Sequence, residues 1–149
     1  KDLLVSKGCI SGIVNVSGDI NAWGKQLDGK PWNVGIVNPL NKNKVFATFP
    51  LKDSAVETSG SYEKYVIFNG IRYSHIIDPR TGYPATGVVS VSVFAKQTEI
   101  ADALATGIFV LGVEVGLDLV NQLKGIECII VDDKGKIHSS KGIDIKKYN

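Results

Sequence analysis

The hydrophobic periodicity of the chain changes at Thr98, and that change limits the fold more than any other feature. Before it, short apolar-rich runs alternate with turn residues. "CISGIVNVSGDI" reads as a strand over Ile13 to Val16 that ends in a Ser17-Gly18-Asp19 turn. "PWNVGIVNP" and "NKVFATFP" are strand-like runs with "LNKN" as the hairpin tip, and Asn69-Gly70 is a two-residue turn between "YVIF" and "IRYSHII". "GVVSVSVFA" alternates small polar and apolar residues as a half-buried strand does. From Thr98 the period becomes helical. "TEIADALATGIFVLG" has Thr98 as N-cap, Glu99 in the first turn and Gly112 at the end, and "EVGLDLVNQLKG" predicts a second helix stopping at Gly125. "IECIIVDDKGKIHSS" closes the chain as a hairpin with Lys134-Gly135 in its turn, and "KDLLVSKG" opens it as the last turns of a helix. Strands, a helix pair, then strands predict an α+β fold with a largely antiparallel mixed sheet.

Composition excludes several classes. At 149 residues with no repeat or linker, the chain is expected to form a single domain. A net charge of +2 with no basic run gives no footprint for nucleic acid or an anionic membrane. The apolar run Gly107 to Val113 is far too short to span a bilayer. Cys9 and Cys128 lie among strand residues and read as two buried thiols. The chain starts at Lys1 and has no methionine, so a processed product or a fragment is expected.

Two segments hold residue types suited to chemistry. "YSHIIDPRTGYP" sets His75 ahead of Asp78, Arg80 and Gly82. An imidazole can take a proton from a hydroxyl at neutral pH, and a guanidinium can fork onto a phosphate. The same letters also describe a strand-end histidine followed by a charged surface turn, and most such turns do no chemistry. In "ADALAT", Asp102 and Thr106 are four residues apart and so lie one turn above each other on a helix. Carboxylate and hydroxyl are hard oxygen ligands suited to Mg²⁺. Equally, the aspartate can answer the helix dipole while the threonine bonds back to the preceding turn. "SGDI" and "TSGSYE" are small-residue loops able to face a phosphate or serve only as turns. Trp23 and Trp32 read as core or rim packing, and His138 as a solvent-exposed residue.

In order along the chain, "NVSGDI", "AVETSGSYEKY", "RYSHIIDPRTGYP" and "ADALATGIFVLG" resemble the ApbE-type FAD:protein FMN transferases. The resemblance runs from Gly12 to about Asp133 and implies Mg²⁺-dependent transfer of FMN from FAD to a threonine hydroxyl of an acceptor protein, with release of AMP. It implies His75 as the base, Asp102 and Thr106 as metal ligands with the Ala105 carbonyl as an addition, the main chain at Ile76 beside the flavin nucleotide, and Asp19 and Ser59 lining the cleft. Acceptors would be flavin-carrying subunits of NADH:quinone reductases or Rnf-type complexes. The location would be periplasmic, through a lipid anchor. An FAD pyrophosphatase giving FMN and AMP would need the same base and metal, and a non-catalytic flavin-binding module is the remaining alternative. Ser17 stands where the family usually has glycine, and Gly107 where alanine is common. Family members are longer, so this chain is expected to be a C-terminal portion. A lysine- and glycine-rich segment with a further metal ligand and flavin contacts would precede it, leaving the cleft incomplete.

Overall fold

The computed structural model describes residues 1–62 and 64–148, the side chains of Lys42, Ile71 and Arg72 excepted. A short helix α1 (Asp2–Ser6) leads into β1 (Gly12–Val16) and β2 (Asp19–Trp23), which form a hairpin rather than the single strand expected. Ser17 and Gly18 make its turn with φ of 55° and 110°, the left-handed pair that closes a two-residue hairpin, so Val16 faces Asp19 directly. After β3 (Trp32–Asn38), β4 (Asn41–Leu51) and β5 (Ser54–Gly60) comes the exposed hairpin β6 (Tyr65–Phe68) and β7 (Ile71–Ser74), turned at Asn69-Gly70 as predicted. A small hairpin of β8 (Ile77–Asp78) and β9 (Tyr83–Pro84) precedes β10 (Val88–Ala95), α2 (Thr98–Leu111), α3 (Val113–Val120), β11 (Glu127–Asp132) and β12 (Ile137–Ser139). The tip of the β3–β4 hairpin lies at Pro39-Leu40, earlier than "LNKN" suggested, and the register jumps from Val37↔Val45 to Asn38↔Asn41.

Six strands form one sheet in the order β1-β2-β5-β10-β11-β12, and every strand pairing among the described residues is antiparallel. The period of two along β10 divides its side chains between two cores. Val91, Val93 and Ala95 face α2 and α3, where Ala101, Ala105, Ile108, Phe109, Cys128 and Ile130 complete a buried cluster. Phe94 faces the other way, onto the β3–β4 hairpin with Val34, Ile36, Phe49 and Ile129. Phe49 packs its ring 5.0 Å from Phe94 and 4.5 Å from Tyr148, so the polar-looking tail is held down by an aromatic contact. The result is three layers: helix pair, sheet, hairpin.

Three local expectations are corrected. The N-cap of α2 is Gln97, not Thr98, whose Oγ1 instead accepts from Asn21 Nδ2 at 3.1 Å. The second helix stops at Val120, and residues 121–125 are turns. Cys128 is buried but Cys9 is exposed: in the segment between α1 and β1 its carbonyl accepts from Trp23 Nε1–H while its thiol faces outward. No helix among the described residues is long and apolar enough to cross a membrane.

Candidate active site

Helix α2 builds the site because its buried stripe and its polar edge are adjacent. Ala101, Ala105, Ile108 and Phe109 recur at helical spacing and are fully buried against the sheet. Asp102 and Thr106 each follow one of the alanines, so they sit about 100° round the helix, exposed at the margin of that stripe. The small side chains at 101 and 105 let the helix approach the strands closely. Thr106 does not show the back-bonding that a helical threonine often adopts. Its Oγ1 pairs with Ser59 Oγ across the interface at 3.1 Å.

Register fixes which strand residues share this face. Ala55, Glu57 and Ser59 of β5 pair with Ala95, Val93 and Val91 of β10, the α2-facing residues. Asn21 of β2 pairs with Ala55, which places Asn21 on that face, and Asp19 two residues earlier with it. Four polar side chains thus line the strip of sheet beside Asp102 and Thr106. Burial, reinforced by the charge of Asp102, holds the Asp19 carboxyl above its ordinary range. Glu57 is pushed up to about 8, first by burial and then by the charges of Asp102 and Asp19, against a partial offset from the Ser59 hydroxyl. Glu57 is only 6% exposed. Its Oε2 and Asn21 Oδ1 are the buried side-chain atoms without a hydrogen-bond partner among the described residues, and both are acceptors. A cleft of about 580 Å³ opens beside Asp19, Asn21 and the start of α2, with Lys96 and Thr98 on its wall.

The His75 segment meets the same helix-side core. Ile76 is 8% exposed and packs in the helix-side core with Ala105 and Ile108. Its N–H donates to Ser74 Oγ at 3.0 Å and its carbonyl accepts from Ala85 N–H at 2.9 Å, so its main-chain groups already have partners. Arg80 does not wait for a phosphate. It forks onto Asp78 at 2.9 and 2.7 Å and donates to the Val110 carbonyl near the end of α2 at 3.1 Å. A guanidinium at a helix C-terminus meets the negative end of the helix dipole, and it moors this loop one turn beyond Thr106. The fork holds the Asp78 carboxyl below its ordinary range. The His75 ring pairs through Nδ1 with the Lys64 carbonyl at 3.0 Å. No hydrogen bond among the described residues joins it to Asp102, Thr106 or Ser59. Glu63, within the "TSGSYE" loop, lies outside the described residues. His138 is not free in solvent: Nε2 pairs with Asp132 Oδ2 at 2.8 Å.

A family model described as the ApbE family matches residues 1–130. The chain belongs to the ApbE family. It is 39% identical over 151 residues to the FAD:protein FMN transferase of Treponema pallidum (strain Nichols), covering 95% of this chain and 42% of that protein. It is also 39% identical over 143 residues to the FAD:protein FMN transferase of Vibrio cholerae, covering 93% of this chain and 43% of the relative. The crystal structure of the ApbE protein from Thermotoga maritima superposes with a TM-score of 0.80 at 40% identity, over 89% of this chain and 43% of that one. The flavin transferase ApbE from Vibrio cholerae superposes with a TM-score of 0.82 at 36% identity, over 99% and 47%. The chain thus spans less than half the length of the relatives it matches.

Within this ApbE chain, Glu57 and Asn21 were not singled out from the sequence. The signal for Glu57 was available in "SAVETSG": in strand alternation an acid falls between Ala55 and Ser59, on the face opposite Val56. A carboxyl in the inward row of a strand is rare without a partner or an ion. The donors gathered here are carboxylates, hydroxyls and an amide oxygen, the hard set that suits Mg²⁺. Among the described residues no three acids, imidazoles or thiols converge to hold an ion unaided. Mg²⁺ is ordinarily held by one or two carboxylates, with waters and substrate phosphates completing its shell, so the residues fit it.

Proposed function

We propose that the protein moves FMN from FAD onto a threonine hydroxyl of an acceptor flavoprotein, with AMP as leaving group and Mg²⁺ as the cation. One observation carries the chemistry. A carbonyl can only accept, so His75 must donate to Lys64 through Nδ1–H, and in the neutral ring the lone pair then sits on Nε2. That lone pair takes the proton of the threonine hydroxyl while the hydroxyl oxygen bonds to the phosphorus of the FMN half. The bridging P–O bond breaks, and its electron pair leaves with AMP. A base beside a hydroxyl of high pKa typically contributes about 10²–10⁴-fold in rate.

Asp102 and Thr106, with the Ala105 carbonyl, would hold Mg²⁺, which when bound neutralises phosphate charge as the pyrophosphate opens. Arg80 steadies the loop between Ile76 and Pro84 by its bonds to Asp78 and Val110, which keeps the His75 segment against α2. Asp19 and Ser59 line the strip of sheet next to the cation ligands. Acceptors of the kind carried by NADH:quinone reductase and Rnf-type complexes supply the hydroxyl. The names and folds of the similar proteins support this reading.

The test incubates the protein with FAD and Mg²⁺, with and without an acceptor subunit, and follows covalent flavin fluorescence on denaturing gels together with free AMP. Labelled acceptor and AMP should rise together and be lost in His75→Ala. AMP released at full rate without acceptor identifies water as the nucleophile and overturns transfer; full labelling by His75→Ala removes the base.

A further inference from the structure

The Ser59–Thr106 hydroxyl pair has a direction that matters. Either oxygen can donate across the 3.1 Å between them. If Ser59 donates, the Thr106 proton must point elsewhere, and the open side of Thr106 is the side on which a cation would sit. If Thr106 donates, its oxygen keeps both lone pairs for that cation. What decides is the group beyond Ser59. That group is Glu57, two residues along β5 on the same face, so its side chain lies beside that of Ser59. It is 6% exposed, and its Oε2 has no partner among the described residues, so spare acceptor capacity is concentrated there. The oxygen of a buried carboxyl that lacks a partner is an acceptor waiting for a donor. Ser59 then donates to Glu57 and accepts from Thr106.

We propose that Glu57 is a positioning residue which, acting through Ser59, turns the Thr106 hydroxyl so that its oxygen faces a divalent cation. This rests on Asp102 and Thr106 being the cation ligands of the proposed function. The polarised pair also explains why Thr106 bonds across to the sheet rather than back along its own helix. Groups that orient metal ligands in this way are typically worth about 10–100-fold in metal affinity.

The test is Mn²⁺ binding, by calorimetry and by the EPR signal of the free ion, with neither FAD nor acceptor present. Asp102→Ala serves first: if it binds Mn²⁺ like the parent, the cation reading itself falls. Given its loss of binding, Glu57→Leu removes the acceptor and should weaken Mn²⁺ about tenfold. Glu57→Gln keeps a carbonyl oxygen for Ser59 and should stay within about threefold of the parent. In a Ser59→Ala background the difference between leucine and glutamine at 57 should vanish, as a relay requires. A glutamine variant as weak as the leucine variant shows that charge or direct ligation is at work and overturns the relay. So does a tenfold gap that survives Ser59→Ala. Should Glu57→Leu fail to fold, Ser59→Thr against Ser59→Ala decides: the hydroxyl-bearing variant should retain affinity, and equal binding by both refutes the proposal.

Discussion

Replacing Glu57 by glutamine separates the two protonation states of a buried carboxyl. The group moves from an ordinary 4.5 to about 8 on folding. Between those values the folded chain holds a proton that the unfolded chain has already released. Stability is therefore greatest below the lower value and falls as pH rises, by about 1.4 kcal/mol per pH unit, until it levels near the upper one. Across the whole window the loss is roughly 5 kcal/mol, an upper figure because water drawn to the ionised group relieves part of it. Glutamine fills the same space without ionising. Urea unfolding in EDTA should therefore give parent and Glu57→Gln similar stability near the acid end of the window. Toward about pH 8.5 the curves should separate by several kcal/mol in favour of the variant. Asp78 and Asp132, held low by Arg80 and His138, act below the ordinary carboxylate range and in both proteins alike. Saturating Mg²⁺ should flatten the parent's curve, since a cation beside Asp102 relieves the charge crowding. Parallel pH profiles, or a glutamine variant less stable at the alkaline end, would refute the reasoning.

Other substitutions and probes test the packing around the site. One thiol should react with a disulfide reagent in the native protein and two in denaturant, because Cys9 is exposed while burial pushes Cys128 up to about 12; rapid native reaction of both would contradict that core. In Gly116→Ala the new Cβ would lie 2.6 Å from Ile108 Cγ2, a methyl with no exposed surface to move into. Overpacking of about 1–3 kcal/mol should outweigh the helix-propensity gain of about 1 kcal/mol, so the urea midpoint should fall rather than rise. Arg80→Ala should leave the midpoint nearly unchanged yet speed amide exchange at Gly82, whose N–H reaches the Asp78 carbonyl at 2.8 Å; unchanged exchange would show that the fork moors nothing.

Periodicity carried the fold class because each element buries a face that its own period defines. The alternation of "GVVSVSVFA" and the helical spacing of Ala101, Ala105, Ile108 and Phe109 are local facts, and the two cores follow from them. The turn at Ser17-Gly18 is legible, but the returning strand β2 is not, because it is held on its far side by β5, a later element. For Arg80 the sequence left a phosphate ligand and a charged surface turn both open, because it shows what a guanidinium can do and not which carbonyl it reaches; that carbonyl is near the end of a helix thirty residues away. The site divides in the same way. That Asp102 and Thr106 share one helix edge is legible from i, i+4 spacing, but the choice between back-bonding and an outward partner depends on Ser59, a residue of another element. Strand alternation in "SAVETSG" marks Glu57 as inward-facing, but which acids crowd it follows from β5–β10 register, a non-local quantity.

The same register explains why core and site cannot be separated here. Along β5 the helix-facing row runs Ala55, Glu57, Ser59, from apolar to polar, while α2 alternates a buried alanine with a polar neighbour at 101–102 and again at 105–106. The sheet–helix interface thus passes from hydrocarbon packing to oxygen donors within a single helical turn. Close approach of the helix, set by Ala101 and Ala105, brings Thr106 within 3.1 Å of Ser59; larger residues there would widen the gap. The same close approach removes water from Glu57 and crowds it with Asp102 and Asp19, so the geometry that would suit a cation destabilises the protein without one above the ordinary carboxylate range. An acid on an open helix surface, without this close contact, would show neither effect.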